Sequence, residues 1–587
     1  MIYKILTFYF ALLLIQINAQ TDFVTVFEKS GFVASASYEE TMQYFQMLDE
    51  NSEYADLFDF GISPQFREMK CLLVSKENRS IIEFNLSLRN KPTAKPLVLI
   101  INGIHSGEIE GKDASMLLLR EILITKEKEY LLDSLNLLVI PIFNVDGHER
   151  KSKYNRINQN GPEEMGWRTT ALNFNLNRDW MKADATEMQA MLSLVSTWLP
   201  DFIIDTHTTN GADYQYEVTY QVEKYQNINQ ETAEFLKSNF IPYLITNVEK
   251  KGFPIFDYVA LKHWDKGLDS GLIDWVTPPR LSTGYFALHN RPALLVETHM
   301  LKPYKNRVFS TKAVLETTLD FVFINSTNLL ILNENADLKT IQNYTDNSKY
   351  LPLKFKTTDK FDEVDFKGFE YFKEFSNISG TEKIVYTNKP KNLKLNFYRY
   401  HQVIDSVKVP KFYVIPVEYF ELIKRMQLHG IETSVLENDT TIKVKRYKFD
   451  NVKFADRPYE SRFIPSFDIE EYYETVKLPK GTFIIPTNQI TLKLIVHLLE
   501  PKSDDSFIKW GFMNSIFEQK EYFESYVMEK IAEEMLRNDS KLKEEFETKL
   551  KTDESFSKNP YQRLNFFYKK SPYWDKNLNK YPIMIIE

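Results

Sequence analysis

With one cysteine, Cys71, among 587 residues, no disulfide can form within the chain. The fold therefore rests on packed core and not on a stapled scaffold. Cys71 itself sits in the apolar run Lys70 to Val74, which reads as a buried strand and makes the thiol structural, not nucleophilic. No stripe of basic residues is present, and the net charge of -8 is spread over mixed-sign positions. That excludes a phosphate backbone, and so nucleic acid, as an expected partner. Internal repeats and low-complexity tracts are also missing. Runs long enough to cross a bilayer are absent as well. The longest candidate, Ile5 to Ile17 after Lys4, is too short and leads into Ile17-Asn18-Ala19, with a small residue at the expected cut. Residues 1–19 read as a signal peptide cleaved after Ala19, with a retained N-terminal anchor as the alternative. A secreted or periplasmic protein with no remaining membrane span is expected.

What the chain does have is apolar content, 43% of residues, and a length too great for one ordinary core. From about Tyr38 to Asn325, buried-strand runs alternate with helix-period segments: Leu97 to Ile101, then Gly111 to Ile124; Leu135 to Ile142; a helix opened by Asp184 and Glu187 and running to Trp198; Asp201 to Asp205; and Ala293 to Val296 after Pro292. That alternation predicts an α/β fold with a mixed central sheet flanked by helices. After about Leu330 the texture changes to polar and aromatic alternation, as in Lys391 to Tyr400 and Thr440 to Tyr447, with helical period only near the end, from Glu521 to Arg537. The expectation is an α/β domain over residues 20–335 and a smaller β-rich domain over 336–587 with terminal helices, of unassigned role.

The chemistry starts at Asn102-Gly103-Ile104-His105-Ser106-Gly107-Glu108, directly after the first buried strand. An imidazole and a carboxylate three positions apart at a strand's C-terminal end can converge on one cation, and nitrogen and oxygen donors suit zinc. Glu110 competes with Glu108 for that role and reads instead as a first-turn charge favoured by the helix dipole. Downstream follow Phe143-Asn144-Val145-Asp146-Gly147, Gly166-Trp167-Arg168, Asn175-Leu176-Asn177-Arg178, Ile204-Asp205-Thr206-His207 and Leu295-Val296-Glu297.

In that order these segments resemble the zinc carboxypeptidase family of the carboxypeptidase A type, over roughly Tyr38 to Asn325. In that family a loop H-x-x-E is followed by an arginine, an Asn-Arg pair, a second histidine and a distant glutamate. The resemblance implies one zinc per chain held by His105, Glu108 and His207, a donor set that leaves an open position where water becomes acidic. It implies Glu297 as the general base that passes a proton to the leaving amine. Arg168 would stabilise the oxyanion, with Arg150 and Arg156 as nearby alternatives that read as solvated loop charges. Asn177 and Arg178 would grip a substrate's terminal carboxylate. Tyr285 is the candidate for the family's mobile tyrosine, although it stands unusually close to Glu297.

Two substitutions depart from the pattern: Asn175 stands where the family has an aspartate behind a zinc-bound histidine, and Val145 where it has a proline. The other histidines, at 148, 263, 289, 299, 401, 429 and 497, read as surface or supporting groups. Asp257, Asp269, Asp274 and Arg280 all compete to line the specificity pocket. The function implied is a secreted carboxypeptidase acting on peptides with a free C-terminal carboxylate. The alternatives are a zinc amidohydrolase of the deacylase type, acting on N-acyl amino acids or cell-wall peptides, and a non-catalytic peptide-binding protein on a peptidase scaffold. Glu297 argues against the last of these.

Overall fold

Residues 23–87, 95–209, 211–345 and 349–587 are described by the structure, a computed structural model. The segment read as a signal peptide, residues 1–19, lies outside them. The first part of the chain contributes β1 (Ala55–Ile62), β2 (Glu68–Val74), β3 (Leu97–Ile101), β4 (Asn136–Ile140), β5 (Phe202–Thr209), β6 (Val218–Val222), β7 (Ile255–Asp257), β8 (Leu272–Ile273) and β9 (Ala293–His299). All but β8 join one eight-stranded sheet in the order β1-β2-β4-β3-β5-β9-β6-β7. Its centre, β4, β3, β5 and β9, is parallel, and its margins include antiparallel pairs. A sheet covered on both faces needs continuous apolar strands, which is why β3 and β4 are Leu, Val and Ile almost throughout.

Side chains of successive strand residues point to opposite faces. Leu97, Leu99 and Ile101 accordingly join a core with Met188 and Leu192 of the helix Thr186–Trp198, while Val98 and Ile100 join another with Leu117 of Glu110–Leu123 and Val308 and Leu315 of Tyr304–Ile324. Gly111 allows the helix Glu110–Leu123 to lie against β5: a Cβ there would meet Thr206 Oγ1 at 2.0 Å. The expected cap Asp184 does not start its helix. Its carboxylate is held by Arg462 (Nε 3.0 Å), and Ala185 occupies the cap position without a side-chain bond.

The C-terminal part is β-rich, as expected. It contains β10 (Tyr350–Thr357), β11 (Asp362–Ser376), β12 (Thr381–Tyr398), β13 (His401–Lys408), β14 (Phe412–Ile415), β15 (Ser434–Val435), β16 (Thr440–Phe454), β17 (Pro465–Leu478), β18 (Phe483–Pro486) and β19 (Met584–Ile586). Six of these form a second sheet, β15-β18-β14-β19-β16-β17, and helices cover Leu492–Leu499, Ser525–Asn538, Ser540–Thr552 and Pro560–Lys570.

The division near 335 falls inside a continuous helix, Ser326–Thr345. The two parts also share structure. β12 pairs with β8 from the first part, and Leu353, Tyr413 and Ile495 lie in the same buried cluster as Leu99 and Trp180. A composition shift marks where sheet type changes, but a core that closes over both regions leaves no exposed linker.

Candidate active site

Parallel strands deliver their loops to one edge, and ligands of open α/β sheets collect at the carboxyl ends of the strands. β3 ends at Ile101, opposite Asp205 of β5, and His207 of β5 lies opposite Glu297 of β9. Gly103, at φ +67°, turns the chain out of β3 and brings His105 and Glu108 back over the same edge. His105 Nδ1 then stands 3.2 Å, and His207 Nδ1 3.0 Å, from one oxygen of Glu108, Oε2. The three donor atoms lie within 4.8 Å of one another, and all three residues are buried.

The outer nitrogens are held from behind. His105 Nε2 is 3.1 Å from Asn175 Oδ1, and His207 Nε2 is 3.0 Å from Asp205 Oδ2, which also accepts from Ser282 Oγ at 2.6 Å. Two imidazoles and a carboxylate with their inner atoms convergent and their outer atoms braced are the donor set a zinc ion takes.

The electrostatics agree with that fit. Burial, with Arg168 and His207 nearby, pulls the His105 pKa to about 4, leaving a neutral imidazole whose lone pair is free to ligate. Burial also disfavours the charged form of His207, but Asp205 and Glu108 outweigh it and raise its pKa, so His207 holds a proton that a bound cation would replace. Burial works against the Glu108 carboxylate too, yet His105 and Arg156 keep its pKa well below the usual range. Glu110 points elsewhere. It accepts from the hydroxyls of Thr208 and Thr298, with Arg307 Nη1 3.6 Å away, and so ties β5 to β9 beneath the site.

Glu297 lines the same cleft, and burial pushes its carboxyl up to about 8; His207 and Arg168 oppose that rise, while Glu108 and Asp205 add to it. Arg168, with 42% of its side chain exposed, donates to Glu108 Oε1 at 3.0 Å. Arg156 donates to the same oxygen at 2.8 Å and is only 16% exposed. The expectation of a solvated loop charge at Arg156 is therefore wrong. Its stem lies over Gly107, where a Cβ would meet Arg156 Cδ at 2.8 Å, so the bare position in the H-x-x-E loop was the available signal. Arg150 instead covers the Trp167 ring at 4.4 Å.

Asn177 and Arg178 sit in the single turn Leu176–Arg178, capped by Asn175, whose Oδ1 accepts from Asn177 N at 3.1 Å. Asn177 Oδ1 accepts from Ser282 N at 3.1 Å, and Arg178 Nη1 donates to Asn177 O at 2.6 Å. Among the described residues no carboxylate lies within ion-pair distance of Arg178, although it lines the cleft.

Tyr285 is not with them. It is 1% exposed, its ring lies 5.1 Å from that of Trp180, and its hydroxyl is 3.0 Å from His429 Nδ1. The short helix Ser282–Leu288 presents Ser282 and Thr283 to the cleft and turns Tyr285 into the core. The tyrosine that does line the cleft is Tyr258, edge-on to Trp275 at 5.9 Å. It lies in an irregular loop whose sequence carries no motif.

None of the four charged candidates offers a free charge to the cleft. Asp274 takes the Tyr225 hydroxyl at 2.5 Å and the Trp275 amide at 2.8 Å, Asp257 faces Lys224, Asp269 faces Lys373, and Arg280 pairs with Asp505 at 2.9 Å. Apart from His105, Glu108, His207, Glu297, Arg156, Arg168 and Arg178, the cleft is lined by uncharged side chains, Gln221, Thr277 and Leu295 among them, around a cavity of about 150 Å³.

Residues 41–240 match the model of a family described as zinc carboxypeptidase. That stretch is similar to the zinc carboxypeptidase family. Carboxypeptidase 2 of Trichophyton rubrum is 22% identical over 461 residues, covering 73% of this chain and 76% of that protein. Carboxypeptidase 2 of Trichophyton tonsurans is 21% identical over 482 residues, covering 74% and 78%. Among solved structures, the metallo-carboxypeptidase from Pseudomonas aeruginosa aligns with a TM-score of 0.37 and 16% identity, over 50% of this chain and 70% of that one. The family match and these relatives together make the chain an enzyme, a zinc hydrolase of the metallocarboxypeptidase class. In this carboxypeptidase the two departures from the family pattern have local consequences. Asn175 supplies an amide oxygen, without charge, to His105 Nε2. At the other, Asn144 rather than a proline shapes the turn, its Oδ1 accepting from Gly147 N at 3.0 Å to cap the helix Val145–Glu149.

Proposed function

We propose that the protein is a secreted zinc carboxypeptidase that hydrolyses the last amide bond of peptides bearing a free C-terminal carboxylate. The observation that carries this reading is Arg178, a guanidinium with no carboxylate partner among the described residues, in the same cleft as His105, Glu108, His207 and Glu297. Zinc held by those two histidines and Glu108, one ion per chain, would supply Lewis acidity to a carbonyl and to a water molecule.

The chain's own groups do the rest. Arg178 and Asn177 bind the terminal carboxylate and thereby fix which amide bond reaches the centre. Arg168, exposed enough to leave Glu108 for a ligand, donates to the carbonyl oxygen as negative charge builds on it. Glu297 takes a proton from water as the C–O bond forms and returns it to the amine nitrogen as the C–N bond breaks. A carboxyl whose affinity for the proton is raised by burial suits both halves of that transfer. The leader read at residues 1–19 supports export. No helix among the described residues is long and apolar enough to cross a membrane.

The test compares kcat/KM for the acid and the amide form of one peptide, with the wild type and with Arg178→Ala. Amidation leaves the guanidinium underpaired, so the wild type is expected to lose about 2 to 5 kcal/mol, as when one partner of a buried charge pair is removed. Arg178→Ala is expected to lose a similar amount on the acid and to be nearly indifferent to amidation, because the two changes remove opposite ends of one interaction. A wild type that cleaves both forms equally would defeat the exopeptidase reading.

A further inference from the structure

A cavity larger than the catalytic cleft lies away from it. About 630 Å³ opens between the first part of the chain and the C-terminal part, lined from the first part by the stretch 224–230 with Glu234 and Lys237, and from the C-terminal part by Lys349, the stretch 399–401 and Lys493. Its volume is in the range of small-molecule sites. Its charge among the described residues is one-sided: Lys224, Lys237, Lys349, Arg399 and Lys493 line it against one carboxylate, Glu234.

Two of the cations are already engaged. Lys224 lies 3.5 Å from Asp257 and 3.6 Å from Asp274, and Arg399 Nε donates to Asp362 at 2.8 Å. The other three have no carboxylate within ion-pair distance among the described residues. Among the described residues Lys349 donates to Asn343 Oδ1, at 2.9 Å. Lys493 is buried and spends its ammonium protons on neutral acceptors, the carbonyls of Asn227 and Ala287 at 2.9 and 2.7 Å and Asn290 Oδ1 at 2.7 Å. Burial draws its pKa down to about 7. His401 Nε2 adds a buried nitrogen with no hydrogen-bond partner.

A buried ammonium satisfied only by neutral groups is held at a cost that a nearby anion would offset. A concave wall of one sign also concentrates ions of the other. Glu234 does not neutralise the wall, since it accepts from Gln230 and points along its own helix turn.

We propose that this cavity is a second ligand site that binds a small polyanion carrying two or more carboxylate or phosphate groups. More than one anionic group is required because the free cations stand on separate segments: Lys237 on the helical stretch 230–250, Lys349 just before β10, and Lys493 on the helix Leu492–Leu499. None of them belongs to the catalytic cleft.

The test is calorimetric titration of the full-length, zinc-loaded protein with two probes, propane-1,2,3-tricarboxylate and glucose 1,6-bisphosphate. The wild type is expected to bind at least one of them with one-to-one stoichiometry, and whichever it prefers identifies carboxylate or phosphate as the natural group. The double variant Lys237→Ser/Lys349→Ser, changed at exposed positions only, is expected to bind at least tenfold more weakly while keeping wild-type turnover of a neutral peptide. Arg178→Ala is expected to bind the probe as the wild type does. If neither probe binds, or if binding survives the double lysine change and is lost with Arg178→Ala, the proposal is overturned.

Discussion

Replacing Asn175 with aspartate tests the metal centre at the point where the chain departs from its family. Asn175 Oδ1 faces His105 Nε2 at 3.1 Å and also accepts from Asn177 N at 3.1 Å, so an aspartate can take the same position without moving the turn. What changes is charge: a carboxylate behind the ring raises the basicity of the ligating nitrogen. Across one imidazole, about 5 Å, a unit charge acts on a cation with roughly 3 kcal/mol at an effective dielectric constant near 20 for each unit of cation charge. Desolvating the half-buried carboxylate takes back a part of this. Groups that brace metal-bound histidines typically change affinity by about 10- to 100-fold, or about 1.4 to 2.7 kcal/mol, and Asn175→Asp is expected to tighten zinc by an amount in that range. Competition against a chelator of known zinc affinity, at several pH values, measures it directly. Zinc bound no more tightly by a variant with unchanged thermal stability would refute the reasoning, and with it the placement of His105 in the ligand set.

Glu297→Gln is expected to keep its zinc while amide hydrolysis falls by about 10²- to 10⁴-fold, the share attributable to acid and base work; His207→Ala should lose the metal itself, as read by metal analysis. Because the cleft lining outside the metal, base and arginine groups is uncharged, peptides ending in an uncharged side chain should have kcat/KM at least about tenfold above those ending in lysine, arginine, aspartate or glutamate, since a buried unpaired charge costs more than about 1.4 kcal/mol; a charged preference in a release assay would contradict that lining. Tyr285→Phe should leave turnover unchanged and lower stability by about 1 kcal/mol through loss of the bond to His429, whereas a large fall in kcat would restore Tyr285 to the cleft. Glu187 is 1% exposed with both carboxylate oxygens unpartnered, and burial raises its pKa from 4.5 to about 7. The folded state therefore holds that proton more tightly than the unfolded one, so the stability linked to it is present below pH 4.5 and lost as pH rises through about 7. Glu187→Gln should raise the unfolding free energy at pH 8 by up to about 3 kcal/mol and have little effect near pH 4.5.

The sequence disclosed the residues whose chemistry is tied to a strand end, whereas in irregular chain it found only what the family's motifs mark and misread or missed Arg156 and Tyr258. His105, Glu108, His207 and Glu297 follow or end runs such as Leu97–Ile101 and Ala293–Val296, so the register of a parallel sheet brings them together once the strands are recognised. Arg156 and Tyr258 stand in stretches without period. Their positions depend on long-range packing, such as the Arg156 stem filling the space above Gly107, that no local pattern encodes. Tyr285 shows the converse error. Tyr285 was expected in the cleft as the family's mobile tyrosine despite standing unusually close to Glu297 in sequence, but the helix Ser282–Leu288 presents Ser282 and Thr283 to the cleft and buries Tyr285 in the core. The C-terminal part follows the same logic at larger scale. Alternation revealed its strands, yet not that β12 would pair with β8 or that Leu353 and Tyr413 would complete a core begun by β3. Strand existence is a local property of two-residue periodicity, whereas strand partnership is decided by which apolar faces remain uncovered once the first sheet has formed. The lysines around the junction cavity are invisible for that reason too. Lys224, Lys237, Lys349 and Lys493 are scattered through the chain as ordinary charges, and they become a site only because the C-terminal part closes over the first.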